Sequence, residues 1–78
     1  MNGFKNEATF KLVQLVANNY PLYTMSKSMG VEQFHNAIAV VKNLINTIEF
    51  SQDISDCLGS IELHQVDWSE VLKHVHQS

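Results

Sequence analysis

A chain of 78 residues makes a single domain, residues 1–78, and a domain of this size hides only about 60% of its unfolded surface. An apolar fraction of 45%, with three Gly and one Pro, excludes a disordered chain. The net charge is −3, and no apolar run approaches the roughly 20 residues of a membrane span.

No signal-peptide h-region opens the chain, where Asn2, Lys5, Asn6 and Glu7 stand. A lone cysteine, Cys57, has no internal disulfide partner, which fits a reducing cytoplasm. Charge is unevenly placed. Residues 1–42 carry four Lys against two Glu, and residues 43–78 carry one Lys against six acids. There is no arginine, the residue whose fork dominates phosphate and guanine recognition. Five dispersed lysines therefore argue against direct binding of nucleic acid. The acidic half suits either a solvated surface or a basic partner.

The first predicted helix runs from about Glu7 to Asn18. Asn6 is its N-cap, since an Asn side chain accepts from the open amides of the first turn. Ala8, Leu12, Leu15 and Val16 share one face, and Phe10, Val13 and Ala17 an adjoining one. So wide an apolar surface predicts burial against several neighbours or another chain. Asn18 and Asn19 stop it. Pro21 fits the first turn of a short second helix, with Leu22, Met25 and Met29 as its stripe and Gly30 as the C′ residue.

The third helix is predicted from Val31 to Thr47 or Glu49. Phe34, Ile38, Val41, Ile45 and Ile48 recur at spacings of four and three, and Ala37, Val40 and Leu44 broaden the stripe. The same spacing suits a helix–helix seam. Between Ser51 and Leu63, Ile54, Cys57, Leu58 and Ile61 fall on one helical face, although Ile61 to His64 alternates like a short strand. A strand there has no partner, so a helix ending near Glu62 is expected. Asp67 caps the last helix, and Glu70 three residues on completes a variant capping box. Trp68, Val71, Leu72 and Val75 form its core face, and Lys73, His74 and His76 complement its C-terminal partial charge.

Candidate chemistry is sparse. His74 and His76 point about 200° apart on a helix, and no Cys-x-x-Cys or His-Glu-x-x-His accompanies His35 and His64. Exposed surface histidines and no metal are expected. Cys57 lies on an apolar face, where a thiol is inert. Gly3, Gly30 and Gly59 are isolated and cradle no phosphate. Asp53 and Asp56 read as first-turn acids. Tyr20 and Tyr23 flank Pro21 at a helix junction. They fit a surface anchor, or a core edge with hydroxyls in water.

The order Asn-Gly-(x)2-Asn-Glu-(x)2-aromatic, then Asn-Asn-(x)2-Leu-Tyr, then Val-Asp-Trp-Ser-Glu-Val resembles a family of short uncharacterised phage and prophage proteins. The matching positions are Asn6, Glu7 and Phe10; Asn18 or Asn19, Leu22 and Tyr23; and Asp67, Trp68, Glu70 and Val71. Ala8 and Phe10 depart from the family's usual Thr and Trp. The resemblance implies a mobile-element origin, a bacterial cytoplasm and a small interaction protein.

The expected fold is all-α, a small compact bundle of four to five short helices, without enzymatic activity or cofactor. The expected function is binding of a host protein with a basic surface, so as to modulate or inhibit it. The target class is a nucleic-acid-handling defence complex such as a CRISPR effector. Glu49, Asp53, Asp56 and Glu62 are the expected acidic contacts, with Tyr20 and Tyr23 as anchors. The alternative is a structural or regulatory homo-oligomer, most simply a dimer through the first or third helix.

Overall fold

A computed structural model describes residues 3–45 and 52–77, and of Asp53 the backbone alone. Those residues form α1 (Glu7–Asn18), α2 (Tyr20–Ser28), α3 (Val31–Leu44), α4 (Gln52–Ser60), a 3-10 turn (Leu63–Gln65) and α5 (Trp68–His76). No strand occurs among them, and the fold is a small all-α bundle.

The helix starts follow local chemistry. Asn6 Oδ1 accepts from Thr9 N at 2.9 Å and caps α1. Asn19 ends α1 and caps α2, accepting from Leu22 N at 3.1 Å, with Pro21 in the first turn. Gly30 follows the Met29 C-cap of α2 and also stands at the N-cap of α3. Its φ is −79°, so it does not use the left-handed conformation for which C′ glycines are favoured. Gln33 Oε1 accepts from its amide at 3.3 Å.

The core is one cluster, with α1 packed on α2, α4 and α5, and α3 packed on α4 and α5. Leu12, Val16, Phe34, Ile38, Leu58, Val71 and Val75 have no exposed surface. Burying a side chain of that kind stabilises the fold by roughly 1.5–3 kcal/mol. Trp68 lies against two α3 residues. The Phe34 ring meets it edge-on at 6.1 Å, and the His35 ring stacks on it at 4.3 Å with 13° between planes.

Several expectations need correction. The third helix is regular only to Leu44, with Ile45 as its C-cap; Thr47, Ile48 and Glu49 lie outside the described residues. Ile45 is half-buried and outside the core cluster, while Val40 is 55% exposed. Ala17, expected on the buried side of α1, is exposed. The expected helix is present as α4 but stops at Ser60, two residues short of Glu62, and no strand follows it among the described residues. Ile61 is buried beneath an extended link, Glu62 carries φ −85° and ψ 103°, and the 3-10 turn follows. Lys42 Nζ donates to the Ile61 carbonyl and ties this link to α3. Glu70 does not return to the Asp67 amide, so the capping box at α5 is only half made. Asp67 Oδ1 accepts from Glu70 N at 3.1 Å, but the Asp67 amide donates to Thr9 Oγ1.

Candidate functional site

The two end motifs meet in space, and they build structure. Thr9 is fully buried; its hydroxyl donates to Asn6 Oδ1 at 2.8 Å and accepts from Asp67 N at 2.9 Å. Asn6 Nδ2 donates to the Gln65 carbonyl at 2.7 Å, and Lys5 N donates to Glu70 Oε1 at 2.8 Å. Asn6, Asp67 and Glu70 thus clasp the starts of α1 and α5 together. Each commits at least one side-chain polar atom to a bond within the protein.

Elsewhere α1 leaves a polar face uncovered. Glu7, Lys11, Gln14 and Asn18 recur at helical spacing along it, and α4 runs beside them. Between the two helices lies a hollow of about 480 Å³. Lys11, Gln14, Asn18 and Asn19 line one wall and Asp56 and Ser60 the other, over Leu15 and Cys57. A smaller hollow of about 150 Å³ shares Lys11 and Ser60 with it and continues to Glu7, Glu62 and Gln65. The two form one valley along α1. Its floor is apolar at Leu15 and Ala8, both buried, and half-buried at Cys57. Its walls carry three carboxylates, Glu7, Asp56 and Glu62, against one ammonium, and Lys11 Nζ is paired with Glu7 Oε1 at 3.1 Å.

Across Asn18 a third hollow, about 440 Å³, is lined by Ala17, Asn18, Tyr20 and Tyr23. The two tyrosines differ. Tyr20 is 77% exposed, whereas Tyr23 is half-buried against the core, with Lys27 Nζ 4.9 Å from its ring centroid. Tyr23 thus lies at the edge of the core, and Tyr20 stands out at the surface.

Of the expected contact residues, Tyr20 and Tyr23 border the hollow beyond Asn18, Asp56 the middle of the valley, and Glu62 its far end. Asp56 Oδ1 accepts from Gln52 Nε2 at 2.7 Å, and Glu62 lies 3.6 Å from His64 Nδ1; both acids remain exposed. Asp53 is on α4, three residues before Asp56, and its side chain lies outside the described residues, as does all of Glu49. Sequence reasoning passed over Gln14 and Ser60 and read Asn18 only as a helix stop and a motif position; the valley brings the three together. Their shared signal was polar spacing of three and four on helices read only for their apolar faces.

Contrary to the expectation of exposed surface histidines, not all four are surface groups. His35 and His74 are half-buried, the first stacked on Trp68 and the second 4.4 Å from the Phe4 ring. His76 Nε2 lies 2.9 Å from the Ser26 carbonyl, which ties the end of α5 to α2. Among the described residues no three His, Cys, Asp or Glu gather to hold a metal ion. Cys57 sits in the valley floor, its Sγ 3.8 Å from the Lys11 carbonyl. Burial raises its pKa above the ordinary 9.0, partly countered by the Lys11 charge. A thiol so placed is a weak nucleophile at neutral pH. No described helix is long and apolar enough to cross a membrane.

The chain matches no protein-family model, no curated protein and no solved structure.

Proposed function

We propose that this chain is a small phage-type accessory protein that acts without chemistry. It binds a host protein presenting a basic surface, and so modulates or inhibits it in the bacterial cytoplasm. A nucleic-acid-handling defence complex, such as a CRISPR effector, is the target class. The observation that carries the reading is Tyr20, an aromatic ring 77% exposed at a helix start beside a hollow. Exposed aromatics of this kind anchor protein interfaces. The acidic residues Asp56 and Glu62 add the charge that speeds encounter with a basic partner and makes it salt-sensitive.

The test is capture of host proteins by the wild-type chain and by a Tyr20→Ala/Asp56→Lys variant. A specific partner should be retained by the first, lost by the second, and released at raised salt. Retention of the same partner by both, without salt dependence, would overturn the reading.

A second reading is supported by α3. Ala37, Val40 and Leu44 lie at spacings of three and four, with Val40 55% exposed and the other two half-buried. Such a flank suits a homodimer seam. Light scattering on a Val40→Glu variant separates the two: a dimer that becomes monomeric favours the second reading, and an unchanged monomer removes it.

A further inference from the structure

The valley between α1 and α4 has features that a solvated surface lacks. It is a trough with a floor of Ala8, Leu15 and Cys57 and walls of amide, hydroxyl and carboxylate groups. From Glu7 to Asn18 it follows eleven helical steps, about 17 Å at the usual rise. An extended chain covers that distance with about five residues. Gln14, Asn18, Asn19 and Gln65 carry side-chain amides, which match the donors and acceptors of an extended backbone. The charge of the walls favours cations. Glu7, Asp56 and Glu62 face a single ammonium, Lys11, already paired with Glu7.

We propose that this valley binds an extended, arginine-containing segment of a partner protein, its backbone against the wall amides and its guanidinium groups against Asp56 and Glu62. Arginine suits the walls because its fork meets a carboxylate with two parallel bonds. Its aliphatic stem suits the apolar floor. The proposal rests on the binding role argued above and narrows it to a linear ligand and to one face of α1. Binding needs little rearrangement, because Asp56 and Glu62 are exposed and their present partners, Gln52 and His64, are exposed too.

The test uses the full chain and a synthetic peptide of about ten residues alternating arginine and alanine, with a glutamate-for-arginine counterpart as control. Amide chemical shifts should move for residues 11–18 and 56–65 with the arginine peptide and stay fixed with the glutamate one. Asp56→Asn keeps the size of the side chain and removes its charge; it should weaken the peptide by about tenfold while leaving the helical spectrum unchanged. Affinity should also fall severalfold between about 50 and 200 mM salt. Fixed shifts at millimolar peptide, shifts centred on another face, equal binding of the glutamate peptide, or an unaffected Asp56→Asn variant would each overturn the proposal. The broader reading is separable from it. If a host partner is captured in a Tyr20-dependent way while the peptide fails, the linear segment is wrong and the binding role stands.

Discussion

Thr9 Oγ1 accepts the amide hydrogen of Asp67 at 2.9 Å, joining the first turn of α1 to the N-cap of α5 across 58 residues of sequence. The hydroxyl also donates its one proton to Asn6 Oδ1 at 2.8 Å, so it both donates and accepts inside the protein. The bond from Asp67 to Thr9 satisfies the Asp67 amide, the donor that the Glu of a complete capping box would accept from.

Replacing Thr9 by Val keeps the shape and removes both bonds, leaving the Asp67 amide without its acceptor. The expected loss is ~1–3 kcal/mol, measured as a lower urea midpoint with an unchanged slope. Thr9→Ser keeps the hydroxyl and should lose clearly less. A Thr9→Val variant as stable as the wild type, with the loss confined to Thr9→Ser, would assign the stability to the methyl group and not to the bond.

This clasp also shows where sequence reasoning stops. The caps at Asn6 and Asp67 were legible because a cap is made within three residues of itself, whereas Asn19, read only as a stop, also caps α2. The core faces of α1 and α5 were legible because the 3.6-residue period writes them into the sequence. Thr9 carried no signal of its own in the sequence, since one of its partners, Asp67, is distant along the chain. Phe4 was missed for the same reason: its ring lies 4.4 Å from His74, a contact that exists only after α5 has packed beside the start of α1. The valley was half legible. Asp56 and Glu62 stood out as charges, but that α4 would lie beside the polar face of α1 is a tertiary fact with no local signature.

The α3 stripe separates residues that periodicity alone made equivalent. Ile38 has no exposed surface, whereas Ile45 is half-buried at the C-cap. Ile38→Ala should therefore destabilise by ~2–5 kcal/mol, most of what a domain of this size has. Ile45→Ala should remove much less, because its side chain can be replaced partly by water. Val40→Ala, at an exposed position, should stay within about 0.5 kcal/mol. Chemical denaturation of the three variants gives the ranking; a loss at Ile45 equal to that at Ile38 would contradict the packing.

Gly30 offers the opposite sign. Its φ of −79° and ψ of 175° are open to any residue, and a Cβ there would meet nothing within 4 Å. It stands at the N-cap of α3 with no side chain to accept from the first turn. Gly30→Ser adds that acceptor and restricts the unfolded chain. The two effects together should raise stability by ~0.5–1 kcal/mol, read as a higher melting temperature. A lower one would mean that the α2–α3 junction needs the freedom of glycine after all.

Cys57 makes a prediction about alkaline pH. Burial in the valley floor raises its pKa above 9.0, and the S–H group points to the Lys11 carbonyl at 3.8 Å, a contact that the thiolate cannot donate. The folded protein therefore holds this proton more tightly than the unfolded chain does. The resulting stabilisation is fully present below the unfolded pKa and is lost as pH rises through the higher folded value. Between about pH 8 and pH 10 the wild type should lose more melting temperature than Cys57→Ala, and the difference between the two isolates the thiol from every other group of the chain. At a fixed pH near 8, iodoacetamide should modify Cys57 more slowly in the folded protein than in urea, since only the thiolate reacts and the fold disfavours it. Faster modification of the folded chain, or identical alkaline slopes for the two proteins, would show that the thiolate is accommodated and that the floor of the valley is wetter than its lining suggests.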